Sequence, residues 1–147
     1  MQKDSYILRK FTIAIKYIIV LNLGVSGISK ILVPFPTIQA LQETPNFPEF
    51  LILPAVSTLP VIEIVIALGL IFNYFVKHTI FICSTLFFGF FAFSIYGIII
   101  GMSSDCGCFG SLFKSKIGWK MSLRNFMFLA MTGWLLYYHK IKVAQAK

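Results

Sequence analysis

Long apolar stretches alternate with short polar breaks along this chain, and the stretches have the length of membrane-spanning helices. They run over about 11–33, 51–76, 79–101 and 121–138. Each approaches or exceeds the roughly 20 residues that an α-helix needs to cross the hydrocarbon core. None shows the period-two alternation of a β-strand. The pattern predicts an all-α, polytopic membrane protein, a four-transmembrane-helix bundle that forms one domain over residues 1–147.

The polar breaks differ in kind. Pro34 and Pro36 end the first stretch, because proline cannot continue a helix, and a short interfacial helix is predicted near residues 37–42. Three further breaks are a tight turn, a longer loop with glycines and a basic tail, over residues 73–78, 102–120 and 139–147.

Composition agrees with a lipid environment. Hydrophobic residues make up 58% of the chain and charged residues 12%, whereas soluble domains carry roughly 25% charge. The net charge of +8 would suggest nucleic acid in a soluble protein. Here the basic residues flank the apolar stretches, which is typical of topology signals, so no nucleic-acid partner is expected.

Basic residues also predict the orientation in a bacterial inner membrane. One side of the predicted bundle collects the larger basic set, Lys3, Arg9, Lys10, Lys77, Lys140, Lys142 and Lys147. The other side collects Lys114, Lys116, Lys120 and Arg124. Because the cytoplasmic side carries the excess of lysine and arginine, both termini are predicted to be cytoplasmic and the loop at 102–120 extracytoplasmic.

That loop contains Cys106-Gly107-Cys108. Gly107 lets the backbone fold tightly enough for the two sulfurs to approach each other. A disulfide across one intervening residue is strained, and strain makes a disulfide easier to reduce. Cys106 and Cys108 are therefore the candidate catalytic residues of a thiol–disulfide exchange. Cys83, inside the third stretch, is interpreted as an apolar filler.

Two other interpretations of the pair stay open, namely a static disulfide or free thiols, and a metal site. A zinc site would need four ligands from one region, but His78 and His139 fall on the opposite side of the membrane in the predicted topology. No metal is therefore expected, and Cu(I) held by thiolates is the hardest metal to exclude.

Charged residues inside membrane helices are costly and mark candidate functional sites. Counting 1.5 Å per residue places Lys30, Glu63, Arg124 and Asn125 in the outer leaflet beneath the cysteine loop. Lys30 or Arg124 could pair with Glu63 there, either as a structural ion pair or as part of a site for protons, a quinone or a thiol. Small residues near the end of the first helix, Gly24, Ser26, Gly27 and Ser29, favour close helix contact.

An ordered set of motifs resembles the MauE-like members of the DoxX-related superfamily of four-helix membrane proteins, over nearly the whole chain. The matching motifs are Ser26-Gly27-Ile28-Ser29-Lys30, Leu59-Pro60-Val61-Ile62-Glu63 with Gly69, Asp105-Cys106-Gly107-Cys108-Phe109-Gly110, and Arg124-Asn125. The resemblance implies thiol–disulfide chemistry outside the cytoplasm, alongside a thioredoxin-like partner, in the maturation of a periplasmic enzyme of methylamine metabolism.

The leading hypothesis is thus a redox component in which Cys106 and Cys108 exchange with a thioredoxin-like protein. The chain has no second cysteine pair, so a membrane quinone is the candidate at the other end of the electron path, with Lys30, Glu63 and Arg124 lining its pocket. The alternatives are a non-catalytic assembly subunit with a structural disulfide, and a carrier of small solutes or metals. Whether the protein is an enzyme stays open.

Overall fold

The computed structural model describes residues 2–45, 47–101 and 119–145, with side chains for 8–45, 47–101 and 119–141. Within these residues the regular structure is entirely α-helical, which confirms the predicted fold class. Five helices follow one another: α1 Gln2–Leu32, α2 Phe35–Gln42, α3 Glu49–Ile71, α4 Val76–Ile100 and α5 Trp119–Gln145. The short α2 is the predicted interfacial helix, and Pro36 lies in its first turn, where proline is tolerated.

The four long helices form an up-down-up-down bundle. α1 packs most extensively against α3, and α4 against α5, while contacts between α1 and α5 and between α3 and α4 close the ring. Neighbours are antiparallel: Lys30 near the end of α1 meets Glu63, whereas Lys16 meets Asn73, just after α3. α2 packs against α3, beside the end of α1.

Apolar side chains both fill the centre of the bundle and cover its outside. Central members of the core are Ile19, Leu23, Leu70, Cys83 and Phe87, and the Phe87 ring stacks on Phe128 with centroids 5.3 Å apart. Cys83 is therefore the apolar filler that the sequence predicts. Large apolar side chains such as Leu21, Val65, Phe88 and Ile99 are exposed. An outer surface of this kind suits lipid, which is as apolar as leucine.

Three helical segments of the described residues are long and apolar enough to cross a membrane. They are Leu8–Leu32, Glu49–Ile71 and Val76–Ile100, with mean hydropathies of 1.8, 2.3 and 2.0. α5 packs beside them as the fourth long helix. The protein is therefore a multi-pass membrane protein, and the crossing of the membrane by α5 stays a prediction.

The helix ends differ from those expected from the apolar pattern. α1 begins at Gln2 rather than near residue 11, and α5 continues to Gln145 rather than ending near residue 138. Neither extension contains proline or glycine, so the change to polar residues does not end the helix. α3 ends at Ile71 rather than near residue 76, because Asn73 (φ 54°) and Phe75 (φ 44°) form a left-handed turn.

Candidate functional site

A buried ion pair joins α1 to α3. Lys30 lies in the last turn of α1 and its Nζ donates a hydrogen bond to Oε1 of Glu63. The two side chains are only 2% and 0% exposed. Inside a membrane bundle each charge alone would be costly, and each neutralises the other. Counting residues along the helices predicted two candidate partners for Glu63, Lys30 and Arg124, and the structure pairs it with Lys30.

Close packing of α1 on α3 brings the two charges together. A Cβ atom on Gly27 would lie 2.9 Å from Cγ1 of Ile64 and 3.1 Å from the carbonyl oxygen of Pro60. Only glycine leaves room for this approach. Ser26, beside Gly27, also hydrogen-bonds the Glu63 carboxylate. The Gly27 contact therefore holds the two backbones at a separation that Lys30 can bridge.

On its α5 side, Glu63 borders a small polar cavity. The cavity has a volume of about 10 Å³, roughly the space of one water molecule. Its polar lining consists of Asn22, Ser26, Glu63, Arg124 and Asn125. Nδ2 of Asn125 donates a 3.3 Å hydrogen bond to the carbonyl oxygen of Phe90, which ties α5 to α4. Arg124 and Asn125 thus share a cavity with Glu63, while Lys30 reaches Glu63 directly.

The second oxygen of Glu63 has a distinct environment. Oε2 is buried and accepts no hydrogen bond from the part of the chain that the structure describes. Oε1, by contrast, is held by Lys30. A carboxylate with one oxygen paired and the other available can accept a proton without breaking its ion-pair hydrogen bond.

Lys30 also borders a larger, mostly apolar cavity of about 320 Å³. We call it the apolar cavity, and its lining is Lys30, Thr37, Ala40, Leu41, Ala55, Leu59, Leu86, Gly89, Phe90 and Phe93. Nζ of Lys30 lies 4.6 Å from the centroid of the Phe90 ring, a cation–π contact. Oγ1 of Thr37 is buried and has no hydrogen-bond partner among the described residues.

Sequence reasoning missed Thr37, Phe90 and Phe93 as members of a site. Thr37 lies in a short helix with no motif around it, and the phenylalanines belong to a run that reads as packing and lipid contact. Contact between α2, α3 and α4 brings them together, and the spacing of residues within one helix carries no signal for that. The sequence did contain one signal for this contact. Prolines bound α2, and a short helix bounded in this way has to fold back onto the bundle.

Cys106 and Cys108 lie outside the described residues, as does Asp105. The segment that carries them joins Gly101, which follows α4, to Trp119, where α5 begins. The left-handed Gly101 (φ 75°) ends α4. The arrangement of the pair is therefore still a prediction from sequence.

Comparison with protein families gives a match over most of the chain. The family model described as "Methylamine utilisation protein MauE" matches residues 8–138 of the 147-residue chain. Comparison with curated proteins and with solved structures gives no match.

Proposed function

Because the chain belongs to the MauE family of methylamine utilisation proteins, we propose that it is a membrane thiol–disulfide redox component. In this proposal Cys106 and Cys108 cycle between dithiol and disulfide outside the cytoplasm. A thioredoxin-like extracytoplasmic protein is the exchange partner, and the cycle supports maturation of a periplasmic enzyme. Family membership supports the pathway and the apolar helices support the membrane setting, while the chemistry rests on the Cys-Gly-Cys sequence.

The proposed cycle has two balanced steps. First, a thiolate of the partner attacks the Cys106–Cys108 disulfide, and a mixed disulfide resolves to a partner disulfide and a reduced Cys106–Cys108 pair. Second, the reduced pair gives two electrons to a membrane quinone and releases its two thiol protons, while the quinone takes up two protons at its oxygens. The quinone becomes a quinol and the disulfide forms again. The quinone is a substrate in this scheme, and it replaces the second cysteine pair that the chain does not have.

The observation that supports the quinone step is the position of Lys30, the partner of Glu63, in the lining of the apolar cavity. The cavity has the volume of a small-molecule site, which is typically roughly 300–1,000 Å³. Its walls are aliphatic and aromatic, as a quinone ring requires. Two hydrogen-bond donors, the Lys30 ammonium and the Thr37 hydroxyl, can reach a carbonyl oxygen placed there.

Protonation of the quinone needs a donor at its oxygen. Lys30 borders the cavity and can donate, and Glu63 shares a hydrogen bond with Lys30 through which the proton can be replaced. Oε2 of Glu63 gives the pair a further position for a proton. The ion pair would then act as a proton relay between the quinone and the small polar cavity beside α5.

The cavity lies in the half of the bundle next to the segment that contains the cysteines. Phe93, in its wall, is seven residues before Ile100, so about 10 Å of helix separates it from the end of α4. The cavity therefore lies toward the end of α4, and in our proposal the reduced pair transfers its electrons directly to a quinone bound there.

The cysteine step is tested by trapping thiols in intact cells. Cys106→Ser and Cys108→Ser are each expected to abolish disulfide formation in the partner and to leave the protein in the membrane at normal amount. Cys83→Ala is the matched control, because Cys83 is buried in the core. Full partner oxidation by both serine variants would overturn the exchange, and a pair oxidised under every condition would favour an assembly subunit.

The quinone step is tested separately. When quinone synthesis is blocked, the Cys106–Cys108 pair should accumulate as the dithiol. Gly89→Leu should do the same at normal quinone levels, because Gly89 lines the cavity and a Cβ atom added there meets no atom within 4 Å. Gly133→Leu adds the same group in equally open space on α5, away from the cavity, and should have no effect. An unchanged redox state in both quinone-depleted cells and Gly89→Leu would overturn this step.

A further inference from the structure

Another cavity lies at the end of the bundle opposite the apolar cavity. It has a volume of about 280 Å³ between α1, the turn after α3, and α5. Its polar lining is Thr12, Lys16, Asn73, Tyr138 and His139, and its apolar lining is Ile13, Leu70, Val76, Ile80 and Leu135. We call it the lysine cavity. It combines an apolar wall with one fixed positive charge.

The charge of Lys16 has no acidic partner among the described residues. Its Nζ donates a 2.7 Å hydrogen bond to Oδ1 of Asn73, a neutral amide, and its other contact is the Tyr17 ring at 6.0 Å. Among the described carboxylates, Glu43 and Glu49 lie at the opposite end of the bundle, and Glu63, ten residues before Asn73, is bonded by Lys30. A cation in a membrane-spanning helix without an anion is costly, so it marks a site at which an anion can bind.

Asn73 fixes the position of this charge along the membrane normal. It lies in the turn between α3 and α4, where its φ of 54° is one that asparagine tolerates. The turn is where the α3–α4 hairpin ends, and Lys16 is therefore held at the level of a membrane boundary. α1 and α5 continue past this level, to Gln2 and Gln145, and form the sides of a recess.

The surroundings of the recess are basic. Arg9 and Lys10 on α1, Lys77 on α4 and Lys140 on α5 are exposed at this end. The electrostatic field therefore attracts anions to the place where Lys16 provides a defined contact. Tyr138 and His139 add an O–H and ring nitrogens to the same lining, groups that hydrogen-bond phosphate oxygens.

We infer that the lysine cavity binds a phosphate group, and that its natural source is the headgroup of an anionic phospholipid. The phosphodiester would contact Lys16, and one acyl chain would lie along the apolar wall. A lipid rather than free phosphate is favoured because half of the lining is aliphatic and the cavity lies at a membrane boundary. This inference is independent of the cysteine chemistry.

The test uses the full-length protein in nanodiscs of phosphatidylcholine with increasing phosphatidylglycerol, with the melting temperature and the number of retained lipids as readouts. Lys16→Gln keeps a hydrogen-bond donor for Asn73 and removes the charge. It is expected to weaken phosphatidylglycerol retention roughly tenfold or more, the effect of losing one direct hydrogen bond between charged groups. Lys77→Gln removes a charge from the same end, outside the cavity lining, and should change it much less.

Two results would overturn the inference. Equal losses in Lys16→Gln and Lys77→Gln would mean diffuse attraction to the surface without a site. Retention of phosphatidylglycerol by Lys16→Gln at the wild-type level would mean that the cavity does not select anions. Inorganic phosphate distinguishes the sources: displacement of the lipid at millimolar phosphate would assign the cavity to the free anion, and resistance to it supports the lipid headgroup.

Discussion

Lys30 and Lys16 lie in the membrane-spanning segment of α1, and their surroundings differ at the two ends of the bundle. Lys30 is almost completely buried and bonds the Glu63 carboxylate. Lys16, about 21 Å away along the helix, is partly buried and bonds the neutral Asn73 amide. The Lys30 charge is neutralised within the fold, whereas we infer that the Lys16 charge is neutralised by an anion from outside the protein. A lysine in a membrane helix can therefore be either a packing element or a binding element, and its partner decides which.

Backbone separation is the physical reason for the difference. Near Lys30, Gly27 lets α1 approach the carbonyl of Pro60 within contact distance, so the two helices are in direct contact beside the ion pair. Near Lys16, α3 has already ended at Ile71 and only a turn faces α1. A turn cannot supply a second long helix face, so space and partial exposure remain.

The largest expected effect comes from breaking the ion pair. Glu63→Leu should lower the free energy of unfolding by roughly 3–5 kcal/mol, because it leaves the Lys30 ammonium buried and unpaired. Lys30→Met together with Glu63→Leu should recover most of this loss, since no buried charge remains. Thermal or denaturant unfolding of the purified protein in detergent measures both.

Glu49→Leu is the matched control for this prediction. Glu49 is exposed in the first turn of α3, so the same substitution there should cost less than about 1 kcal/mol, the helix-dipole contribution. Similar costs at Glu49 and Glu63 would show that the pair is unimportant for the fold. If the Lys30→Met, Glu63→Leu double variant is no more stable than Glu63→Leu, the apolar pair does not replace the ion pair, and the packing at this site depends on the two charges.

The second-largest effect is expected at Gly27, where α1 and α3 approach closely beside the Lys30–Glu63 pair. Gly27→Ala should cost about 1–3 kcal/mol, because its Cβ would meet Ile64 and the backbone of Pro60. Gly24→Ala, one turn earlier, should be neutral or stabilise by up to about 1 kcal/mol, since a Cβ there meets nothing within 4 Å and alanine is the better helix former. Equal effects in the same unfolding assay would contradict a specific contact at Gly27.

These two glycines also show how far the sequence could predict the structure. Hydropathy was sufficient to predict the long helices, and counting residues along them made Lys30 and Arg124 the two candidate partners of Glu63; the structure shows that the partner is Lys30. The run from Gly24 to Ser29 predicted a close helix contact, but only the structure assigns that contact to Gly27 and leaves Gly24 open. A small residue permits a close helix contact, but the position of the neighbouring helix decides which of several small residues makes that contact.

The cavities were harder to predict for a related reason. Thr37, Phe90 and Asn73 each acquire a role from a residue on another element: Lys30 in the case of the first two, and Lys16 in the case of Asn73. Nothing in the local pattern around Thr37 distinguishes it from any threonine in a short helix. The extension of α5 past residue 138, which forms one side of the lysine cavity, was missed because polarity marks the membrane boundary and does not mark the end of a helix.

The smallest effect is expected at Asn73, and it decides whether the two ends really differ. Asn73→Gly removes the amide that Lys16 contacts and keeps the left-handed turn, which glycine adopts freely. If Lys16 awaits an external anion, this variant should lose no more than about 1 kcal/mol in neutral lipid, the net value of one hydrogen bond. Its stabilisation by phosphatidylglycerol should persist or grow, because Lys16 is then free to turn fully toward the headgroup.

Asn73→Ala controls for the backbone, since it removes the same hydrogen bond and adds the cost of a Cβ at positive φ. A loss near the 3–5 kcal/mol expected for Glu63→Leu would instead make Asn73 as essential to Lys16 as Glu63 is to Lys30. Both lysines would then be stabilised by a partner within the fold, and the two ends of α1 would not differ.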